Sequence, residues 1–502
     1  MASITGSGGT RQGGLLVDSL RFRYPRVEGL PEAPVLDGAD FSMPRGSAGA
    51  ILGAADAGKT TLMRILAGLV PRFTGGRIEG HALFGTMDLL AVKPYEAMDT
   101  VGLLFQDPDE QLITTRCDSE VAFALESLGV ARADMDGRIT RGLRLVGMEA
   151  LHGRNPGTLS GGEKKRLLIA CLAALDPELW ILDEVFQELD HAWRQALLEH
   201  LGQKERTALF FDSRWSPLYD SACETVSVLT GGTIVAAGKT GSGRGRRAGP
   251  LEAAGLVLPR EPFAPVTGGS EPFLKVDSLS FRFPGPPPFD LEVGELSLDR
   301  GAVTAIVGRN GSGKSTLGRI LCGLLAPGRG RILLRKDAAF FPASPAALQV
   351  RVGYMFQNPD YQVFLPTVAE ELRFGLRSLG LDAAEQGAIV EEAIALFQLP
   401  RGATPPSLMS YGARRRLQAA TSHLMARDLL ILDEIDSGLG YRDFLDLLPA
   451  LAAAGRGLVL VTHDIALARY VSSRVIVMDG GTIVDDLAAP GFSSLGRLTG
   501  GG

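Results

Sequence analysis

The chain has 502 residues, of which 45% are hydrophobic and 22% are charged, a balance typical of folded proteins and not of disordered ones. Its 51 Lys and Arg residues against 57 Asp and Glu give a net charge of −6, so no broad basic surface is expected to bind nucleic acid. The four cysteines include no Cys-x-x-Cys pair, and no apolar run is long enough to cross a membrane. We therefore expect a chain of a reducing compartment with no membrane span of its own.

The chain contains one set of motifs twice, in the same order. The segment Gly53–Leu69 (GAADAGKTTLMRILAGL) recurs as Gly308–Leu324 (GRNGSGKSTLGRILCGL), and LWILDE at Leu179–Glu184 recurs as LLILDE at Leu429–Glu434. A repeat of about 250 residues is long enough for each copy to be a domain. The predicted divisions are a flexible N-terminal tail over 1–14, a first domain over 15–238, a linker over 239–271, a second domain over 272–490 and a C-terminal tail over 491–502.

Short apolar strands alternate with amphipathic helices in each half. The segments AGAILG and AVTAIVG each end at a glycine, and a stretch with apolar residues at helical spacing follows each of them. Further along, LWILD, LLILD, ALFF and LVLVT are apolar throughout, as strands are when helices cover both faces of a parallel sheet. The pattern predicts an α/β fold with a mostly parallel sheet core in each half.

A Gly-x-x-x-x-Gly-Lys-Ser/Thr phosphate loop (P-loop) stands between a predicted strand and a predicted helix in each half. Its glycines let backbone N–H groups point at phosphates, its lysine reaches the terminal phosphates, and its hydroxyl group ligates magnesium. In the first loop Asp56 takes the place of Gly311, and a carboxylate beside phosphates weakens the first site. The predicted nucleotide-binding residues of the two loops are Gly53, Gly58, Lys59, Thr60, Thr61, Gly308, Asn310, Gly311, Gly313, Lys314, Ser315 and Thr316.

An acidic pair follows a buried strand in each half, as Asp183-Glu184 and as Asp433-Glu434. The carboxyl ends of parallel strands are where such sheets bind their ligands. An aspartate there is suited to hold Mg²⁺, and a glutamate to polarise an attacking water molecule. Acidic pairs also end strands as plain turns, but two P-loops in the same chain favour the catalytic interpretation.

With these motifs in place, both halves resemble ATP-binding cassette (ABC) ATPase domains. The segment LSGGEKKR at Leu159–Arg166 resembles the ABC signature, and MSYGARRR at Met409–Arg416 aligns with it in the second half. The resemblance implies Mg²⁺-dependent hydrolysis of ATP by two P-loop NTPase domains of the ABC type. It also implies that each sheet core carries an antiparallel β subdomain and a helical subdomain, the latter at about Pro108–Leu159 and Pro359–Met409.

The resemblance assigns further site residues by position. Tyr24 and Phe283 match the aromatic residue that stacks on adenine, although either alone is more often a core residue. The signature residues that would contact nucleotide are Ser160, Gly161, Gly162, Glu163, Ser410 and Gly412. The catalytic candidates are Glu434, His463, Gln357 and Glu184. The candidate metal ligands are Ser315, Gln357, Asp433, Thr60, Gln106 and Asp183.

ABC domains pair head-to-tail, so the resemblance implies that the P-loop of one domain and the signature of the other share each nucleotide. The site with the second P-loop and the first signature keeps every expected group, including Asp190 of the D-loop. The opposite site meets Tyr411 where a glycine is expected and Gly440 where an aspartate is expected. Counting back from the following glycine turns aligns Arg214 with the switch histidine His463. These departures predict one competent and one degenerate site.

The segments FQDPDEQ and FQNPDYQ, with second glutamines Gln111 and Gln362, are similar to the ATPases of energy-coupling factor (ECF) importers for vitamins or transition-metal ions. This resemblance implies two partners, an integral membrane coupling protein and a substrate-binding membrane component. They would dock near the two segments that match the Q-loop of the family, Phe105–Gln111 and Phe356–Gln362, at the cytoplasmic face of the cell membrane. The alternatives are the fused ATPase of a sugar ABC importer and a soluble tandem ABC protein acting on ribosomes. The short predicted linker and the acidic charge disfavour the ribosomal alternative.

Overall fold

The computed structural model of the chain describes residues 13–26, 34–186, 189, 191–203, 206–239, 244–261, 263, 271–283, 288–377, 380–400 and 403–488. The chain divides into two compact units, and the boundary between them falls after Leu256, inside the predicted linker. Within the described ranges, no helix is long and apolar enough to cross a membrane.

The first unit contains ten described strands and seven α-helices. Its strands are β1 (Leu15–Arg23), β2 (Leu36–Met43), β3 (Ala48–Leu52), β4 (Arg77–Phe84), β5 (Met87–Asp88), β6 (Val101–Leu104), β7 (Leu179–Asp183), β8 (Thr207–Asp212), β9 (Thr225–Thr230) and β10 (Thr233–Lys239). Its helices are α1 (Lys59–Leu66), α2 (Cys117–Ser127), α3 (Arg132–Leu145), α4 (Gly161–Leu175), α5 (His191–Gly202), α6 (Pro217–Ala222) and α7 (Arg244–Ala253). Short 3₁₀ helices span Pro94–Glu96, Pro108–Glu110, Glu149–Leu151 and Pro156–Thr158.

The second unit follows the same order of strands and α-helices up to its last strand, with an α-helix in place of the 3₁₀ helix Pro94–Glu96. Its strands are β11 (Glu271–Phe283), β12 (Phe289–Arg300), β13 (Val303–Gly308), β14 (Arg329–Lys336), β15 (Ala339–Pro342), β16 (Val352–Met355), β17 (Leu429–Asp433), β18 (Gly457–Val461), β19 (Arg474–Asp479) and β20 (Thr482–Ala488). Its helices are α8 (Lys314–Leu321), α9 (Pro345–Arg351), α10 (Val368–Leu376), α11 (Ala383–Leu396), α12 (Tyr411–Leu424), α13 (Tyr441–Leu451) and α14 (Ile465–Val471). Described 3₁₀ helices span Pro359–Tyr361, Pro406–Leu408 and Ala453–Gly455.

A mostly parallel sheet forms the core of each unit, which confirms the predicted α/β fold. The order in the first unit is β10-β9-β3-β8-β7-β6, beside a separate antiparallel sheet of order β2-β1-β4-β5. In the second unit both parts join into one ten-stranded sheet, of order β15-β14-β11-β12-β20-β19-β13-β18-β17-β16. The P-loop strands β3 and β13 each lie between two parallel neighbours. The loops that follow them therefore open at the carboxyl edge of the sheet, where ligands bind.

The strands before the acidic pairs are the most buried part of each sheet. All five residues of β7 and all five of β17 are buried, as their uninterrupted apolar sequences predict. In each unit one apolar core packs these strands, the helix after the P-loop and the antiparallel strands together. The predicted helical insertions contain α2 and α3 in the first unit, and α10 and α11 in the second.

Part of the predicted linker has regular structure. Residues Arg244–Ala253 form α7, which packs beside β10, although glycine, arginine and proline dominate this segment. Leu251 and Leu256 are buried, and the backbone N–H of Trp215 donates a hydrogen bond to the carbonyl oxygen of Leu256 at 2.9 Å. Two apolar side chains that composition alone does not single out therefore attach this segment to the first unit.

We predict that Leu256→Ala lowers the free energy of unfolding of the first unit by about 2–5 kcal/mol, because it removes a fully buried side chain. Trp180, Trp193 and Trp215 are the three tryptophans of the chain, and all belong to this unit. Urea denaturation followed by tryptophan fluorescence therefore reports on it selectively. Phe73→Ala removes a larger side chain that is 74% exposed and serves as the control. Equal, small effects of the two substitutions would show that the segment does not stabilise the unit.

Candidate nucleotide-binding sites

The two P-loops have the same backbone geometry. Gly58 and Gly313 precede α1 and α8 with φ angles of 98° and 97°, in the left-handed region that favours glycine. The ammonium group of Lys59 donates hydrogen bonds to the carbonyl oxygens of the first two loop residues at 2.6 and 2.8 Å. Lys314 does the same at 2.8 and 3.0 Å. In both units the lysine side chain thus lies over its loop, and its charge is held where phosphates would bind.

Asp56 and Gly311 occupy the same position of the two loops. Their φ angles are 65° and 79°, so the loop requires a left-handed residue there in both units. Aspartate is one of the few side chains that adopt this conformation, at a cost of roughly 1–2 kcal/mol relative to the right-handed form. The first loop therefore keeps its shape, but it presents an exposed carboxylate at the position where the second has none.

Two hard oxygen donors lie side by side in the second unit. The Ser315 hydroxyl group donates a hydrogen bond to Oδ1 of Asp433 at 2.8 Å, and the Tyr354 hydroxyl group donates one to Oδ2. Burial raises the pKa of Asp433, so the carboxylate needs a positive charge nearby to stay ionised. A serine oxygen and an aspartate oxygen together fit Mg²⁺, which when bound would neutralise this carboxylate and phosphate charge.

The first unit places the corresponding residues on the same elements. Thr60 is the second residue of α1, as Ser315 is of α8, and Asp183 ends β7, as Asp433 ends β17. Burial raises the pKa of Asp183 to about 8, and the neighbouring charge of Glu184 adds to the rise. This carboxyl group too therefore needs a positive charge nearby to stay ionised.

Each predicted catalytic glutamate contacts the predicted glutamine of its own Q-loop. The side-chain amide of Gln357 donates to Oε2 of Glu434 at 3.0 Å, and that of Gln106 donates to Oε2 of Glu184 at 2.9 Å. Both glutamates have left-handed backbone conformations, with φ angles of 48° and 47°. Such strain is concentrated at functional sites. The structure thus brings together residues that are more than 70 positions apart in sequence.

The strand register corrects one residue of the predicted site. Asp183 pairs with Phe211, and Asp433 pairs with Val461, so the residue two positions further on is Ser213 in the first unit and His463 in the second. Arg214 is therefore the wrong counterpart of His463. Counting from the glycine turns failed because the chain from Phe211 to Gly231 is one residue longer than the chain from Val461 to Gly480.

Ser213 changes the surroundings of Glu184. Its hydroxyl group donates to Oε1 of Glu184 at 2.6 Å, while Gln106 holds Oε2, so both carboxylate oxygens accept a hydrogen bond. Burial raises the pKa of Glu184, and the charge of buried Asp212 adds to the rise. Asp212 accepts a hydrogen bond from the Tyr219 hydroxyl group at 2.6 Å. The first glutamate is therefore fixed in a crowded acidic environment.

The two signature segments begin their helices differently. Ser160 caps α4, and Oε2 of Glu163 accepts the backbone N–H of Ser160 at 2.8 Å, which forms a capping box beside exposed Gly161. Ser410 caps α12 through the N–H of Ala413 at 3.1 Å, but Gly412 behind it is buried. The first signature thus presents an open helix N-terminus.

Tyr411 and Arg415 tie the second signature to its own Q-loop. The Tyr411 hydroxyl group donates to the carbonyl oxygen of Gln357 at 3.3 Å. The guanidinium group of Arg415, a residue with 1% exposure, donates to the carbonyl oxygen of Phe356 at 2.8 Å and to the Tyr411 hydroxyl group at 2.7 Å. Lys165 stands at the aligned position of the first unit and donates to the carbonyl oxygen of Glu184 at 3.1 Å. Sequence reasoning missed Arg415, because a basic residue in a signature helix gives no sign that it is buried.

Of the two predicted adenine-stacking residues, Tyr24 lies at the edge of the P-loop helix of its unit. Tyr24 is 41% exposed, and its hydroxyl group is 3.1 Å from that of Thr61 on α1. Phe283 is 48% exposed at the end of β11. Both rings are about half exposed, so each is available to stack on a flat base. Thr316 and Asn310 lie on α8 and in its loop, as predicted.

The remaining residues singled out in the sequence are located as follows. Asp190 lies outside the described residues, as do most of the two predicted tails. His463 is half-buried just beyond β18, and Gly440 precedes α13. Gln111 holds the backbone of its own Q-loop, since its side chain accepts from the N–H of Phe105 at 2.8 Å and donates to Leu103 at 3.0 Å. Gln362 instead contacts two side chains of α12, since it donates to the Ser422 hydroxyl group at 3.4 Å and accepts from the Gln418 amide at 3.0 Å.

Each unit contains the four features of an ABC-type ATPase. These are a P-loop, an acidic pair after a buried parallel strand, a glutamine that donates a hydrogen bond to the glutamate of that pair, and a capped signature helix. The family model described as ABC transporter matches residues 36–187 and 291–437, more than half of the chain. The chain therefore belongs to the ABC transporter family. It is an ATP-hydrolysing enzyme that drives a transporter.

Relatives of similar length match nearly the whole chain. An ABC transporter ATP-binding protein of Methanosarcina acetivorans is 30% identical over 95% of this chain and 86% of its own. YkoD of Bacillus subtilis, a protein named for HMP/thiamine import, is 29% identical over 95% of this chain and 92% of its own. Among solved structures, a chain from a model of ribosome-bound archaeal Pelota and ABCE1 covers 94% of this chain and 79% of its own, with a TM-score of 0.64 and 19% identity. This last likeness shows the fold alone.

We predict that Asp56→Gly raises the affinity of the first P-loop for ATP by about three- to ten-fold, because it removes a negative charge and a strained residue beside the phosphates. Calorimetric titration in a Lys314→Ala background, which disables the second loop, measures the first site. Gly311→Asp in a Lys59→Ala background is the reciprocal variant and should weaken the second site by a similar factor. Unchanged affinity in both backgrounds would show that this position does not influence phosphate binding.

Proposed function

We propose that the chain is the motor subunit of an ECF-type importer for a vitamin or a transition-metal ion, acting at the cytoplasmic face of the cell membrane. The observation that carries the proposal is the FQ-x-P-x-x-Q element, which is present in both halves. The relative named for HMP/thiamine import, matched over nearly its whole length, supports an import role. The partners would be an integral membrane coupling protein and a substrate-binding membrane component.

Exposed apolar side chains next to both Q-loops support docking of membrane partners. In the second unit Phe364 and Phe374 are 64% and 48% exposed, with ring centroids 5.5 Å apart. In the first unit Ile113 and Phe123, at the aligned positions, are 70% and 45% exposed. Paired apolar groups in water at equivalent places mark an interaction surface. A helix of the coupling protein that reaches out of the membrane is the partner we propose for each.

We further propose that the two ATP sites differ in turnover, on the head-to-tail pairing that the family resemblance implies. The second P-loop with the first signature forms the competent site, where Glu434 orients the attacking water while Gln357 and His463 contact the nucleotide. Mg²⁺, held by Ser315 and Asp433, would neutralise phosphate charge there. The first P-loop with the second signature forms the degenerate site. Three residues support this assignment. Both carboxylate oxygens of Glu184 are held by hydrogen bonds, Asp56 places a negative charge in the P-loop, and Tyr411 replaces a glycine of the signature.

We expect Glu434→Gln to reduce ATP hydrolysis of the reconstituted transporter by about 100-fold or more, since it removes the group that orients the attacking water. Glu184→Gln is the matched variant in the other unit, and we expect it to change the rate by less than about two-fold. The measurement is steady-state phosphate release at saturating ATP. If Glu184→Gln abolished activity while Glu434→Gln left most of it, the assignment of the two sites would be wrong.

Two other functions remain as alternatives. A sugar ABC importer would use the same two ATPase units with other membrane subunits. A role on ribosomes would agree with the fold of the ABCE1 chain, but the identity of 19% extends no further than the fold. The net charge of −6 disfavours a ribosomal RNA partner, because such partners are bound largely through basic residues.

Co-purification from native membranes distinguishes these alternatives. We expect the tagged chain to retain two kinds of integral membrane protein after detergent extraction, a coupling protein and a small substrate-binding component. Phe364→Ser should reduce their recovery several-fold, since it removes half of an apolar pair. Phe341→Ser alters an aromatic residue that is 54% exposed on β15 and should leave recovery unchanged. Recovery of ribosomal subunits, or of sugar-transporter subunits, would overturn the ECF proposal.

A further inference from the structure

Tyr354 carries a role that no motif of the sequence predicts. We propose that its hydroxyl group positions the carboxylate of Asp433 for Mg²⁺, which makes Tyr354 a positioning residue of the second site. The two oxygens of Asp433 have separate partners, since Oδ2 accepts from Tyr354 and Oδ1 accepts from Ser315 at 2.8 Å. The inference rests on the proposed use of Mg²⁺ and ATP by this site.

The position of Tyr354 is set by the sheet. It lies on β16, which runs parallel to β17, and it pairs with Ile431, two residues before Asp433. From this position a long side chain reaches along the sheet face to the carboxyl end of the neighbouring strand. The residue is 9% exposed, so the hydrogen bond forms in a site from which water is largely excluded.

A glycine in the P-loop helix provides the space for this ring. A Cβ atom added to Gly318 on α8 would lie 3.0 Å from Cε2 of Tyr354 and 3.2 Å from Cγ2 of Ile431. Glycine inside a helix costs about 1 kcal/mol relative to alanine, so its presence there has a packing reason. The first unit has Met63 and Leu103 at the aligned positions, a large residue on the helix and a residue without a hydroxyl group on the strand.

The consequence for the metal site is geometric. A buried carboxylate with one partner can rotate, whereas hydrogen bonds to both oxygens fix which lone pair faces Ser315 and the metal position. A tyrosine hydroxyl group can donate a hydrogen bond, so Tyr354 holds Oδ2 while Ser315 holds Oδ1. Leu103 cannot donate to Asp183, so the first unit lacks this means of orienting its aspartate.

The test measures metal-dependent nucleotide binding without turnover. In the full chain with Lys59→Ala, which confines ATP binding to the second P-loop, a non-hydrolysable ATP analogue is titrated at increasing Mg²⁺ concentrations. Tyr354→Phe keeps the ring and removes the hydroxyl group. We expect it to raise the Mg²⁺ concentration for half-maximal binding by about ten-fold, as loss of a group that orients a metal ligand does. Affinity for the analogue in EDTA should stay the same.

The controls separate positioning from packing. Tyr354→Leu introduces the residue of the first unit and should give the same shift, which keeps the test available if the Phe variant does not fold. Tyr95→Phe removes an exposed hydroxyl group from the first unit and should change nothing. The proposal is overturned if the half-saturating Mg²⁺ concentration is unchanged, or if affinity in EDTA falls as much as affinity in Mg²⁺. Because nothing is hydrolysed, the result does not depend on which glutamate supports turnover.

Discussion

The cost of burying carboxylates governs the organisation of each unit. Asp183 and Asp433 end strands that are buried at every residue, where an ionised group without a partner would cost several kcal/mol. The neighbouring elements supply what a buried carboxylate requires, namely the charge of the P-loop lysine in both units and, in the second unit, a hydroxyl group from the P-loop helix. A bound cation completes this arrangement, so the same electrostatic demand that shapes the fold also defines the nucleotide site.

The two units share one backbone and differ in the side chains that it carries. The left-handed residues recur at equivalent places, as Asp56 with Gly311 and Glu184 with Glu434. The groups around them do not recur, because Ser213 stands where the second unit has His463, and Asp212 where it has Thr462. The shared fold therefore does not indicate which unit hydrolyses ATP, and this has to be inferred from the contacts of individual side chains.

The features that sequence alone predicted are those that depend on short, local patterns of residues. The P-loops, the buried strands and the acidic pairs each depend on a few adjacent residues, so sequence alone located them. Ser213 depends on strand register across an inserted residue, and Tyr354 depends on a glycine in a distant helix, so neither gives a local signal. The mid-helix Gly318, aligned with Met63, is the one sign of the Tyr354 contact that comparison of the two halves contains. Composition did not predict the helix in the linker, because burial of Leu251 and Leu256 attaches this glycine-rich segment to the first unit.

On the proposed assignment, the second signature no longer contacts nucleotide in a competent site, and its side chains instead hold the Q-loop of their own unit. Arg415 and Tyr411 donate to the Q-loop backbone, and a buried guanidinium group that lost these acceptors would be left desolvated without partners. The second signature helix and the second Q-loop are therefore held together as one body, whereas the first signature presents its open, capped N-terminus. If a partner docks beside this Q-loop as proposed, a displacement of the loop would also move Gln357, whose side chain donates to Glu434. On the proposed function, the side chains that depart from the signature pattern would link the proposed docking surface to the proposed catalytic glutamate of the same unit.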